Sequence, residues 1–350
     1  MAATIKDVAR MANLSIATVS KYINGGHVID ANRVAIEEAI RQLDYRVNTM
    51  ARGLKTRRTK SIGVLIPSVR MIFCMDMISA IEDELSREDF STLICDCQGR
   101  PEQEERKMAF LLEKQVDGVI MMPSSSSSVA ARMALAAGIP LVLVDRPLPD
   151  IAADSVLVDN MTLAKAATTE LLRAGHQRIG VICGPEDIYT TKQRLSGYYE
   201  AYETDNTQVA SDCISFSDYS LEGGYKSLEK LMSLTEPPTA VLATNYETTI
   251  GAIMAINRAG LRIPGDLSFV GFDGLDMSTL IKPELTMALQ PVQQIGEQAA
   301  KLLLGRLTAN NKSDSGKSSI YGSVADMPPK REIMLAGKLT QGSSIAKMKM

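Results

Sequence analysis

The side chains that could do chemistry in this chain of 350 residues are unevenly distributed, and the imbalance is one of charge. The first 60 residues hold eleven Lys and Arg against Asp7, Asp30, Glu37, Glu38 and Asp44, a local +6 in a chain of net charge −3. The remaining 290 residues therefore carry −9. A basic segment joined to an acidic body is the footprint of a module that neutralises phosphates. Groups for covalent catalysis are scarce. His27 and His176, the two histidines, each lie near a glycine at the end of a helical pattern and read as polar residues at helix termini. Cys74, Cys95, Cys97, Cys183 and Cys213 fall mostly in apolar runs without zinc-type spacing and read as reduced packing thiols. There is no G-x-G-x-x-G and no G-x-S-x-G. Gly316-Lys317-Ser318 is not a phosphate loop, because Asn311 stands where the first glycine is needed and no strand leads into it. An enzyme, a metal site and a cofactor are therefore not expected.

The basic segment contains the elements that would aim its charge. Thr4 with Asp7 forms a capping-box pair, and Ser15 can cap a second helical pattern. Ile5, Val8, Ala9 and Ala12 follow helical spacing, and Val19 and Ile23 lie one turn apart, so each helix has a narrow apolar stripe. Asn13 between them tolerates the left-handed corner. This is a helix-turn-helix. A third pattern, opened by Asp30 and turning Ile36, Ala39, Ile40 and Leu43 inward, closes a small all-α head.

From Ser61 short apolar runs alternate with amphipathic helices: 62–67, 91–97, 117–123 and 140–145, then 178–184, 213–217, 239–245 and 267–273. Such alternation argues for parallel sheets with helical crossovers, and two series argue for two doubly wound lobes. The five serines at 124–128 read as a solvated turn and Asn310 to Ser319 as a loop. No apolar run approaches the roughly 20 residues of a membrane span, and the start lacks a signal-peptide core, which places the chain in the cytoplasm.

The run IKDVARMANLSIATVSKYING at 5–25, AIEEAIRQLDY at 35–45, VNTMARGLK at 47–55 and KSIGVLIP at 60–67, in that order, resembles the lactose-repressor (LacI/GalR) family, more loosely as far as Leu339. The resemblance implies a head over 1–46, a hinge helix and linker over 47–60, and a periplasmic-binding-protein-like core over 61–340, followed by a tail. The first lobe would take about 61–159 and 290–327, the second about 160–289 and 328–340. The run KREIMLAGKL at 330–339 would thus finish in the second lobe.

It also implies the sites. Ile16, Ala17 and Lys21 would read bases, with Ser15, Thr18 and Ser20 on phosphates and Thr4 and Asn24 also in the DNA interface. Lys21 stands where the family usually has arginine and lacks the planar fork. Leu54 matches a minor-groove wedge and Ala51 its small neighbour, although Val47 replaces a common proline and Gly53 weakens the helix by roughly 1 kcal/mol relative to alanine. In the cleft, Arg194, Asn245 and Asp273 match effector-bonding positions, Tyr219 an aromatic one, and Asp145 and Gln290 further ones, with Phe73 as the opposite wall. Tyr246 departs from an acidic position. The implied protein is a homodimeric repressor on a pseudo-palindromic operator in double-stranded DNA, released by a sugar. The alternatives are a nucleobase- or nucleoside-responsive regulator using its ligand as corepressor, and a sugar receptor without DNA function.

Overall fold

The computed structural model describes residues 3–23, 25–45, 58–313 and 329–348. The chain divides into two units, 1–59 and 60–350.

The first unit holds α1 (Ile5–Met11), α2 (Ile16–Ile23) and α3 (Asp30–Gln42). The Thr4–Asp7 capping box is formed in both directions, with Thr4 N–H on the Asp7 carboxylate at 3.0 Å. Ser15 Oγ accepts from Thr18 N–H at 3.1 Å and starts α2. Asn13 has φ 53°, the left-handed corner between the helices. Val8, Ala9, Val19, Ile36 and Ala39 are the buried core, and Tyr22 on α2 donates to Glu37 on α3 at 2.7 Å.

The second unit contains two six-stranded sheets. The first has the order β11-β5-β4-β3-β1-β2, with β1 at Ser61–Ile66, β2 at Ser91–Asp96, β3 at Gly118–Met121, β4 at Leu141–Val144, β5 at Asp154–Val158 and β11 at Glu332–Leu335. All its pairs are parallel. The second has the order β12-β10-β9-β8-β6-β7, with β6 at Ile179–Cys183, β7 at Ile214–Phe216, β8 at Ala240–Ala243, β9 at Ser268–Phe272, β10 at Thr286–Leu289 and β12 at Lys338–Thr340. Only β12 runs antiparallel, against β10. Apolar clusters cover both faces of each sheet, as continuous Val/Ile/Leu strands require.

Helices α4 (Ile72–Ser86), α5 (Pro101–Glu113) and α6 (Val129–Ala136) belong to the first lobe, as does α12 (Val292–Ser313). The second lobe has α7 (Asn160–Arg173), α8 (Tyr189–Asp205), α9 (Leu221–Met232), α10 (Tyr246–Ala259) and α11 (Leu275–Leu280). The chain passes between lobes three times: after β5, after β10, and between β11 and β12.

Several expectations need correction. The run 330–339 does not belong to the second lobe throughout. It breaks at Ala336-Gly337, sending β11 to the first sheet and β12 to the second. Asn310 to Ser319 is not wholly a loop, because α12 continues to Ser313, and no Gly or Pro lies between Arg306 and Ser315. Ser124 is buried rather than solvated, and its N–H meets the buried Glu104 carboxylate at 2.6 Å. Residues 341–348 pack against the second lobe. Ser344 exchanges backbone and hydroxyl bonds with Phe269 at 2.9 and 2.6 Å, and Met348 N–H reaches Ala174 C=O at 2.8 Å.

All five cysteines are buried, and burial pushes the Cys74, Cys97 and Cys183 thiols up to about 12, which disfavours thiolates. His176 is buried between Thr239 Oγ1 at 2.9 Å and the Ala346 carbonyl at 3.0 Å. A carbonyl only accepts, so Nε2 carries the proton and Nδ1 accepts from Thr239. Burial lowers the His176 pKa, partly opposed by the bond to Ala346. The neutral ring is the folded form, so its stabilisation is present above the unfolded value of about 6.5 and is lost as pH falls toward the lowered folded value. Stability should decline over that window with a slope of up to about 1.4 kcal/mol per pH unit. His176→Gln should flatten that slope in urea titrations; an unchanged slope would assign it elsewhere.

Candidate functional site

In the first unit, α2 presents Ile16, Ala17 and Lys21 to solvent, and Ile16 is 46% exposed. It therefore lies outside the head's core, on the exposed face of α2. The Thr4, Ser15 and Thr18 hydroxyls have local partners: Thr4 bonds Asp7 at 2.7 Å, and Ser15 and Thr18 bond each other at 2.8 Å. Ser20 is half-buried. Asn24, Ala51 and Leu54, with Val47 and Gly53, lie outside the described residues.

In the second unit, all seven effector candidates line one cavity between the lobes: Phe73, Asp145, Arg194, Tyr219, Asn245, Asp273 and Gln290. Phe73 comes from the start of α4, Asp145 follows β4, Asp273 follows β9 and Gln290 follows β10. Three of these residues hold a left-handed backbone: Asp145 at φ 65°, Tyr219 at φ 60° and Asp273 at φ 60°. For tyrosine this is an uncommon conformation, and such outliers gather at binding sites. Asp273 precedes Gly274, at φ 72°, so the turn and the cavity wall are the same feature.

The polar groups are tightly cross-bonded. Arg194 is 4% exposed; its Nε donates to Asn160 Oδ1 at 2.7 Å, another nitrogen donates to Thr244 C=O, and its guanidinium lies 4.4 Å from the Phe272 ring centre. Gln290 Nε2 donates to both Asp273 oxygens at 3.2 and 2.9 Å. Burial raises the Asp273 pKa, opposed by the nearby Arg194 charge. Asn245 caps α10, its Oδ1 accepting from Thr248 N–H at 3.1 Å, while its Nδ2 donates to Glu247 at 2.6 Å. The Tyr219 hydroxyl bonds Thr191 at 2.7 Å, and its ring lies over Gly184, where any Cβ would collide with it.

Sequence reasoning missed two charged groups. Arg146 follows Asp145 directly, donates to it at 3.1 Å and to Pro123 C=O at 2.9 Å, and lines the cavity. Glu247 lies one residue past Tyr246 and supplies the carboxylate whose absence at 246 left the hydrogen bonding open. Its signal was an acid in the first turn of a predicted helix after a strand. Glu247 also bridges the lobes, accepting from Ile72 N–H at 3.3 Å.

A wider depression of about 380 Å³ lies between β7 and α9, lined by Ser215, Ser217, Asp218, Lys226 and Lys230 among others. It is an open surface where Lys226 pairs with Glu222 at 2.5 Å, and it gathers none of the buried charges found in the cleft. The cleft is the better site.

The family profile for "Periplasmic binding proteins and sugar binding domain of LacI family" matches residues 59–321, and that for "Bacterial regulatory proteins, lacI family" matches 4–48. The chain belongs to the LacI family. It is 34% identical over 310 residues to the HTH-type transcriptional repressor CytR of Escherichia coli K12, covering 87% of this chain and 90% of that one. It is 32% identical over 312 residues to the ribose operon repressor of Haemophilus influenzae, covering 89% and 94%. A solved LacI-family regulator from Enterococcus faecium with bound ribose superposes with a TM-score of 0.70 at 27% identity, covering 83% and 100%. As a LacI-family member the chain is a DNA-binding transcription regulator with an effector-binding core, and its relatives are repressors. Among the described residues no helix is long and apolar enough to cross a membrane.

The Arg194 clamp is testable. Asn160→Ala strands a buried Nε–H and should cost about 1–3 kcal/mol. Equilibrium urea unfolding of the full chain measures it; a loss under about 0.5 kcal/mol would mean that Asn160 does not hold the guanidinium.

Proposed function

We propose that this LacI-family chain is a cytoplasmic, homodimeric repressor that binds a pseudo-palindromic operator and is released from it by a sugar held between its lobes. It works by binding alone, without a catalytic step. The observation that carries the effector reading is the convergence of seven strand-end and helix-start residues on one cavity. Within it, carboxylates, an arginine and an amide offer both donors and acceptors, which suits vicinal hydroxyls. Phe73 and Tyr219 supply apolar contact. The bound ribose of the Enterococcus relative and the name of the Haemophilus one support a sugar.

Ile16 and Ala17 are exposed on α2 and offer apolar contact, for instance to a thymine methyl; Lys21 reaches guanine O6 or N7. One reading head per chain and a two-fold dimer give half-sites about one helical turn apart, with affinity falling steeply with salt. Lys21→Ala should cost about 1–3 kcal/mol and relax the preference at one base pair, read by competition footprinting with operator variants. A uniform loss on every sequence would move Lys21 to the backbone.

A ligand shifts an equilibrium only by its differential affinity for the two states, so the sugar must favour the lobe orientation with weaker operator affinity. Linkage then requires that operator weaken sugar binding by the same factor. Asp273→Asn should leave operator affinity near normal and abolish relief, measured by anisotropy with and without the active ligand. A fully responsive variant would show the pocket to be misassigned. A nucleobase that tightens wild-type binding would replace the inducer with a corepressor.

A further inference from the structure

Glu104 lies outside the cleft, in the first turn of α5, and is 1% exposed. A carboxylate so deeply buried stays only where donors or an opposite charge meet it. Its Oε2 accepts from Ser124 N–H at 2.6 Å. That N–H belongs to the same peptide group as the Pro123 carbonyl, and the carbonyl accepts from Arg146 Nη1 at 2.9 Å. One peptide is therefore held at both poles, its N–H by a carboxylate and its C=O by a guanidinium. Each charge meets the end of the peptide dipole of opposite sign, so both bonds are charge-assisted.

The arrangement decides how Arg146 is turned. Arg146 lines the cleft, and its Nε donates to Asp145 at 3.1 Å. A planar guanidinium fixed at one nitrogen can still swing about that bond, whereas one fixed at two has a set plane and a set direction for its third nitrogen. That third nitrogen, Nη2, has no partner among the described residues. The second anchor is the Pro123 carbonyl. Because a peptide group is planar, fixing Ser124 N–H fixes that carbonyl as well. Burial raises the Glu104 pKa, opposed by the Ser124 bond and by the Arg146 charge. The other titratable groups facing it are Glu105 on α5 itself and Cys97 after β2, whose thiol stays protonated at acid pH.

Resting on the cleft reading above, we propose that Glu104 is a positioning residue, which through the Pro123–Ser124 peptide sets the plane of the Arg146 guanidinium at the cleft wall. Glu104 itself touches no ligand. Protonating it, or replacing it by alanine, loosens the Pro123 carbonyl and lets the guanidinium turn on its remaining bond to Asp145.

The test is NMR of the isotope-labelled full chain, following the Ser124 amide and the Arg146 Nε–H resonance, the latter assigned by its loss in Arg146→Lys. As pH falls, both should shift together, with one midpoint above the ordinary glutamate value of about 4.3. In Glu104→Gln, which keeps an oxygen for Ser124 N–H and removes the charge, both should stay flat over that range. An Arg146 shift that persists in Glu104→Gln belongs to Asp145 and overturns the proposal, as does a Ser124 step without an Arg146 step in the wild type. Glu104→Ala should speed deuterium exchange at Arg146 Nε–H by about tenfold, the scale of one lost hydrogen bond, while Glu104→Gln keeps the wild-type rate. Equal acceleration in the two variants would reduce Glu104 to packing and overturn the proposal. The wild-type titration needs no variant, so a misfolded mutant does not remove the test. No ligand enters these measurements, so a misassigned cleft shows itself at Asp273→Asn and a failed linkage at Arg146.

Discussion

A guanidinium buried to 4% exposure is the constraint around which the second lobe is arranged. Such a charge cannot stay in the interior unless its donors are met and a counter-charge is near. Arg194 satisfies this with groups from several elements: Asn160 at the first residue of α7, the Thr244 carbonyl after β8, the Phe272 ring at the end of β9, and the nearby Asp273 charge. The approach depends on Gly197, one turn further along α8. A Cβ there would run into the Met161 carbonyl of α7 and push the helices apart. One bare α-carbon thus sets the helix spacing, the spacing sets Arg194, and Arg194 makes the ionised form of Asp273 more favourable.

Two of the same partners lie where the chain changes lobes. Asn160 follows the passage after β5, and Gln290 lies in the passage after β10. The groups that fix Arg194 and Asp273 are therefore coupled to the connections whose geometry decides how the lobes meet. The Ile72–Glu247 bond adds a contact across the cleft at 3.3 Å, long enough to be weak singly. A ligand that repartners these groups acts on lobe orientation directly, without a separate relay through the core. This is the structural form that differential affinity takes in a two-lobed protein.

Legibility in the sequence followed burial. Of the eight strands legible in the sequence, β1, β3, β4, β6, β8 and β9 are predominantly apolar runs covered on both faces, while β2 and β7 lie at sheet edges and are only partly buried. β5 escaped notice because it opens on Asp154 and Ser155, both buried and polar. Asp154 is held by Arg306 at 2.7 and 2.5 Å and by Arg331 N–H at 2.8 Å, partners far away in sequence. β11 alternates exposed and half-buried residues at a sheet edge, so its pattern says strand without saying which sheet. The seven cleft residues were picked out by family pattern together with strand ends. Arg146 was not, because Asp145 beside it already filled the expected position, and Glu247 was not, because the acid was expected one residue earlier, at Tyr246.

The left-handed corners at Asp145, Tyr219 and Asp273 explain why strand ends carried so much of that information. A non-glycine residue in this conformation costs on the order of 1–2 kcal/mol, and here three such residues surround one cavity. Each turns the chain sharply where a strand or its following loop ends, and so aims a side chain across the sheet edge instead of along it. Asp145 and Asp273 limit the strain because aspartate tolerates the region. Tyr219 has no such excuse, and its ring is held by Gly184 beneath and by Thr191 at its hydroxyl. Relaxing that corner to an ordinary backbone would lift the aromatic wall off Gly184, so the strain at Tyr219 and the shape of the cleft stand or fall together.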